Sequence, residues 1–256
     1  MSKKNTIKFF KMQGSGNDFI VIDKNHLKRE LTTDDIKLLA NRNYGIGCDQ
    51  LLVFDIKKSG IVELFIYNKD GCTALNCGNG LRCIGLLLKI QKQIDEVEIK
   101  INGGNKAKTR VLKLYSDTEG EIYTELGEYS MSDNDDGVDV YIGNPHLVIP
   151  IDNLSNVDMG YGEYLSKKRD KNISFAQYDD NSAKVRVYER GGGETNACGS
   201  AAAAVQLAFM NSKEIDVKFV VSGETITAGN KTDINGKSIS YIKGPAKLLY
   251  EGNFFL

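Results

Sequence analysis

Asn68-Lys69-Asp70-Gly71-Cys72-Thr73-Ala74-Leu75-Asn76-Cys77-Gly78-Asn79-Gly80 decides the reading, because its plan returns 121 residues later as Glu189-Arg190-Gly191-Gly192-Gly193-Glu194-Thr195-Asn196-Ala197-Cys198-Gly199-Ser200. In each copy a β-like run comes first, at 63–67 and at 184–188. A polar residue follows the closing tyrosine, and a cysteine stands nine residues beyond it: Asn68 to Cys77, Glu189 to Cys198. Cys-Gly then opens an apolar run, 81–90 in the first copy and 201–210 in the second. Runs that are apolar nearly all round are expected to be buried helices. Two cysteines in equivalent places of a repeated strand–loop–helix unit are expected to face each other.

The repeat extends outward from the motif. Gly16-Asn17-Asp18-Phe19-Ile20-Val21 matches Gly143-Asn144-Pro145-His146-Leu147-Val148 in spacing. An amide precedes a short strand in both halves, Gln50 before 51–54 and Asn172 before 173–177. A shared order over so long a period indicates duplication into two domains rather than a solenoid. Strands are expected at 7–12, 19–23, 51–56, 97–101, 109–115, 121–126, 138–142, 215–221, 224–228, 238–243 and 246–250. A helix is expected from 34 to about 43, capped by Thr32 or Thr33 with Asp34 and Asp35 in its first turn. With about eight strands per half, each cysteine helix should be wrapped by its own curled sheet, which brings the two Cys-Gly turns to a common surface.

Composition removes several function classes. The 33 basic and 34 acidic residues give no electrostatic case for nucleic acid or an anionic membrane. No run approaches the ~20 apolar residues of a membrane span. The first residues carry no apolar signal core, so a cytoplasmic location is expected, and the five cysteines are expected to be reduced thiols. With no C-x-x-C and only His26 and His146, a zinc site is not expected. The glycines of Gly14-Ser15-Gly16 are followed by a strand rather than a helix, which removes the context of a dinucleotide fingerprint.

What remains is thiol chemistry at helix N-termini. Unpaired backbone N–H groups and the helix dipole stabilise a thiolate there, and the same groups hold anions. Two such termini would clamp one carboxylate with a thiol on each side of its α-carbon. One thiolate could then remove the α-proton while the opposite thiol delivers another. Cys77 and Cys198 are the candidates. Cys48, Cys72 and Cys83 read as core or loop residues. His146, on its Gly-Asn-Pro-His turn, reads as part of the site, and Glu189 and Arg190 are drawn to it by their equivalence to Asn68 and Lys69.

These motifs resemble the diaminopimelate epimerase family over nearly the whole chain. The resemblance is carried also by Lys11-Met12-Gln13-Gly14-Ser15-Gly16-Asn17-Asp18-Phe19, by Gly45-Ile46-Gly47-Cys48-Asp49-Gln50, and by Leu81-Arg82-Cys83 after the first Cys-Gly. It implies an α/β (α+β) fold of two pseudo-symmetric domains, each a barrel-like rolled sheet around a central helix. The expected boundaries are 1–118 with 245–256 for the Cys77 half, and 119–244 for the Cys198 half. It implies that Cys77 and Cys198 are the two bases, and that Gly78, Asn79, Gly199 and Ser200 hold the reacting carboxylate. Asn17, Gln50, Asn68, Asn144, Asn172, Glu189 and Arg190 then contact an amino-acid substrate, with His146 and Glu189 tuning the thiols. It implies a homodimer with Tyr250 at the contact, and no metal or pyridoxal cofactor. Another racemase of the same fold, for proline or histidine, and a thiol redox protein are the alternatives. Before Asn172, where the family pattern has Phe-Pro, this chain reads Lys168-Arg169-Asp170-Lys171.

Overall fold

The computed structural model describes residues 6–74, 76–101, 104, 106–209 and 213–256. Leu75 of the first motif and Met210 at the end of the second expected helix lie outside the described residues. In chain order the elements are β1 (Thr6–Gly14), β2 (Asn17–Asp23), α1 (Thr33–Ala40), β3 (Gln50–Ile56), β4 (Val62–Asn68), α2 (Gly78–Lys92), β5 (Glu96–Ile101), β6 (Lys106–Ser116) and β7 (Glu119–Glu128). There follow β8 (Ser130–Asn134), β9 (Gly137–Tyr141), β10 (Pro145–Pro150), α3 (Met159–Arg169), β11 (Asn172–Asp179), β12 (Ser182–Glu189) and the two-residue β13 (Gly193–Glu194). The chain finishes with α4 (Gly199–Phe209), β14 (Glu214–Phe219), β15 (Thr225–Thr232) and β16 (Ser238–Phe255). Two compact units result: one is the chain up to Ile122 with Pro245–Leu256, the other Tyr123–Gly244.

In the first unit the strand order is β1-β2-β3-β4-β5-β6-β7-β16, and β16 pairs back onto β1, so the sheet closes on itself. Full closure removes exposed strand edges. The pairings alternate: β1–β2 antiparallel, β2–β3 parallel, β3–β4 antiparallel, β4–β5 parallel, β5–β6 antiparallel. The second unit repeats this alternation along β9, β10, β11, β12, β14 and β15. The register repeats too. Phe19, two residues after Asn17, pairs with Gln50; His146, two residues after Asn144, pairs with Asn172. Gly16 (φ 85°) and Gly143 (φ 72°) occupy the left-handed region before each asparagine, where a side chain would be strained.

Each unit folds around its cysteine helix. Every residue of α2 from Gly78 to Leu88 is buried, packed on β1, β2 and β6. Gly199 to Leu207 of α4 are buried against β9, β10, β11, β14 and β15. Burying a leucine such as Leu81, Leu86 or Leu87 contributes about 1.5–3 kcal/mol.

The structure departs from the sequence reading in several elements, the short strands β8 and β13 among them, neither of which was expected. Helix α1 stops at Ala40 rather than near 43, because Asn41 turns extended (φ −70°, ψ 124°) and its Oδ1 accepts the N–H groups of Asn43 and Tyr44. Its start is the Thr32–Asp35 capping box. The two strands expected at 238–243 and 246–250 are one, β16, whose partner changes from β15, up to Lys243, to β1, from Lys247. Helix α3 was not expected, since its glycines and charges leave no apolar stripe. Tertiary contacts form it: Asp158 caps it, and Gly162 sits so close to β11 and β12 that a Cβ would lie 3.2 Å from the Phe175 ring.

Candidate active site

In the first unit, the loop after β4 folds back on that strand through Asn68 N–H to Cys72 O (2.8 Å) and Ala74 N–H to Ile66 O (2.9 Å). This return delivers Cys77 to the N-cap of α2. Its carbonyl accepts Leu81 N–H (2.9 Å), and its Sγ accepts Gly80 N–H (3.3 Å). Backbone donation to sulfur favours the thiolate form. Asn79 is buried in the first turn, and its Nδ2 donates to Asn17 Oδ1 (2.6 Å). Asn17 Nδ2 in turn donates to Asp49 Oδ2 (3.2 Å). Gln50 and Asn68 face each other across β3 and β4, with Nε2 donating to Oδ1 at 2.9 Å.

The Asn17 loop is braced by a charged cluster. Arg42 donates to both Asp18 oxygens (2.9 and 2.6 Å) and to Asp49 Oδ1 (3.0 Å), while buried Lys11 bonds Asp18 Oδ2 (2.5 Å) and Gly47 O. Burial alone would raise the Asp18 carboxyl, but hydrogen bonds and charge from Arg42 and Lys11 outweigh it and hold the group well below the ordinary range.

In the second unit the sulfur belongs to a connected network. Cys198 carbonyl accepts Ala202 N–H (3.0 Å), as Cys77 does one repeat earlier. Cys198 Sγ lies 3.5 Å from Ser200 Oγ, which is 3.0 Å from His146 Nε2 and accepts from Asn144 Nδ2 (3.2 Å). Asn144 Oδ1 is 3.1 Å and Asn172 Nδ2 3.5 Å from the same Nε2. Asn172 Oδ1 accepts Arg190 N–H (2.8 Å), which ties the end of β12 to the network. His146 is fully buried, and burial pushes its pKa down to about 3. The imidazole is therefore neutral at working pH and acts as a hydrogen-bond partner reaching Cys198 through Ser200.

Beside this network a cavity of about 490 Å³ is lined by Tyr188, Arg190, Gly191, Gly192, Gly193 and Asp170, among others. The Arg190 guanidinium is exposed and pairs with Asp170 Oδ2 (2.9 Å), a residue of the stretch that departs from the family pattern. Glu189 closes β12, half-buried, opposite Gly193.

The diaminopimelate epimerase family model matches residues 9–131 and 138–249. The chain belongs to this family. A diaminopimelate epimerase of Coxiella burnetii (strain Dugway 5J108-111) is 36% identical over 227 residues, covering 77% of this chain and 81% of that one. One of Rickettsia felis is 34% identical, covering 97% of both. The fold is that of a phenazine biosynthesis protein of the PhzF family from Bacillus anthracis, with a TM-score of 0.74, 14% identity, and coverage of 98% of this chain and 99% of that one.

Two of the other three cysteines are held as thiols by burial. Burial raises Cys48 to about 12 and pushes Cys83 up as well, so both stay thiols at neutral pH; Cys72 is exposed in the loop. All five cysteines are free, and no group of three metal-binding side chains occurs among the described residues. Nor is any described helix long and apolar enough to cross a membrane. Tyr250 lies half-exposed on β16, edge-on to Phe9 with ring centroids 6.2 Å apart. The supporting residues Ser15, Asp49 and Arg82 were not singled out from the sequence. They lie inside the motif stretches, but their contacts exist only in the fold.

Proposed function

We propose that the chain interconverts LL- and meso-2,6-diaminopimelate with its own thiols as the two bases, without metal or pyridoxal phosphate. The observation that carries this is a cysteine at the start of a helix buried over most of its length in each unit, in a chain of this family. In the reaction one cysteine thiolate breaks the Cα–H bond and becomes a thiol. The electron pair is spread into the adjacent carboxylate, and the second thiol protonates the α-carbon from the opposite face and becomes the thiolate. Cys77 and Cys198 fill these roles. The N–H groups of Gly78, Asn79, Gly199 and Ser200 hold the reacting carboxylate, where the charge develops.

Asn17, Gln50, Asn68, Asn144 and Asn172 supply the neutral polar contacts. Arg190 suits the distal carboxylate in a bidentate grip, and Glu189 the distal ammonium. A substrate lacking that second amino-acid head would leave these groups unpaired, which disfavours proline or histidine. Neutral His146 steadies Ser200 next to the Cys198 sulfur. Two working thiols need a reducing compartment, which fits the cytoplasm. The exposed apolar side chains Leu249, Tyr250 and Phe255 on β16 suit a homodimer contact.

The test is proton NMR of the reduced protein with LL-diaminopimelate in D2O, with proline and histidine as controls. Deuterium at one α-carbon together with the meso isomer is the expected result. Exchange of proline or histidine alone would overturn the substrate, and no exchange at all would overturn the racemase reading in favour of thiol redox or ligand binding.

A further inference from the structure

Arg82 is the largest side chain buried to below 2% exposure in the described residues, and its guanidinium stays charged at every working pH. Placing a permanent cation inside a helix core is costly unless it is well bonded. Its bonds run to the turn before Asn17, to the first turn of α2 and to Pro245 in β16. Nη2 donates to Ser15 Oγ (2.8 Å) and to Asn79 Oδ1 (3.0 Å), and Nε donates to Pro245 O (3.3 Å). Asn79 and Arg82 are three residues apart on α2 and so share one helix face.

From Asn79 the bonds continue in one direction. Asn79 Nδ2 donates to Asn17 Oδ1, and Asn17 Nδ2 donates to Asp49 Oδ2. A primary amide can ordinarily be turned over, exchanging its donor for its acceptor. Here it cannot, because the chain begins at a guanidinium, which only donates, and ends at a carboxylate, which only accepts. Turning either amide would set donor against donor or acceptor against acceptor. Ser15 adds an independent sign of the same anchoring: it is fully buried in the left-handed region (φ 48°), which a side chain rarely adopts, and its hydroxyl is bonded to Arg82. Ser15 and Gly16 form the turn that presents Asn17.

We infer that Arg82 is a positioning residue for the reaction: by bonding Asn79 and Ser15 it fixes the side-chain amides of Asn79 and Asn17 with their N–H groups in place for substrate. It rests on the epimerase reading for what those donors hold. One nitrogen, Nη2, makes both of these bonds while Nε is held by Pro245 O, so the length and fixed planar orientation of the guanidinium, rather than the charge alone, do this, and the shorter lysine is not an adequate replacement.

The experiment is Arg82→Lys in the unsubstituted chain and in an Asn79→Ala background, assayed with LL-diaminopimelate. In the unsubstituted chain kcat/KM should fall roughly 10- to 100-fold with KM rising, the range a hydrogen bond to a charged group commands. In the Asn79→Ala background the same change should cost at least several-fold less, because one of the two residues it acts through is gone and only the Ser15 bond remains. Equal losses in both backgrounds, or none in either, would overturn the inference. Amide exchange by NMR gives a readout independent of turnover and of whether the variant folds. In the unsubstituted protein the Asn17 and Asn79 side-chain N–H groups should exchange slowly, and rapid exchange at both would also overturn it. Unsubstituted protein that exchanges no α-proton but protects both amides would sink the epimerase reading and leave the role of Arg82 in fixing the amides standing.

Discussion

His146 offers a quantitative prediction. Its ordinary pKa is 6.5, and burial takes it to about 3 in the folded protein. The unfolded chain therefore binds a proton between those values that the folded chain does not, so stability must fall as pH falls through that window. Above pH 6.5 both states are neutral at this residue, and its contribution is complete. Each pH unit below 6.5 costs up to about 1.4 kcal/mol, so pH 5.0 costs about 2 kcal/mol from this one group. Other groups titrate as well, and the measurement that isolates His146 is a difference. Urea unfolding of the unsubstituted protein and of His146→Gln, from pH 7.5 to 4.5, should give curves whose separation changes by about 2 kcal/mol between pH 7 and pH 5. The variant is expected to start lower, having lost contacts to Ser200 and Asn144, and to lose less on acidification. Parallel curves would refute the reasoning, since they would mean that His146 gains its proton as easily folded as unfolded.

Three other expectations follow from the geometry. Cys77→Ala and Cys198→Ala should each lower turnover at least ~10³-fold while ligand-induced thermal stabilisation by diaminopimelate persists; wild-type turnover in either variant would exclude that thiol as a base. Iodoacetamide on the native protein should leave Cys48 and Cys83 unlabelled by peptide mass analysis, because burial raises both thiols, and labelling there before unfolding would contradict their burial. Asp170→Asn should leave stability within about 0.5 kcal/mol, the pair being exposed, yet lower KM for diaminopimelate a few-fold by freeing Arg190; an unchanged or raised KM would argue against Arg190 as the distal-carboxylate ligand.

Much of the fold was legible because the two halves are written in one pattern. β-Like runs announced β4 and β12, apolar runs announced α2 and α4, and the glycine before Asn17 and Asn144 announced two turns, whose left-handed backbone the structure adds. Local signals of that kind depend on a residue and its near neighbours. They failed where distant atoms decide. Helix α3 exists because Gly162 can lie against Phe175 and Tyr188, and β16 runs through Gly244-Pro245 because β1 takes up the pairing that β15 leaves.

The same division holds for the candidate site. Sequence alone determined which residue types stand at each helix start, since Cys-Gly, its spacing to Asn68 and Glu189, and the Gly-Asn turns are all local. Only the tertiary structure decided how those residues are held. It put Ser200 between Cys198 and His146, removed the water that would let His146 carry a charge, and closed the chain from Arg82 through Asn79 and Asn17 to Asp49. The long-range hydrogen bonds of these networks, between residues 32 to 67 positions apart, and the desolvation of an imidazole depend on how the sheet curls around its helix, and no run of neighbouring residues encodes them.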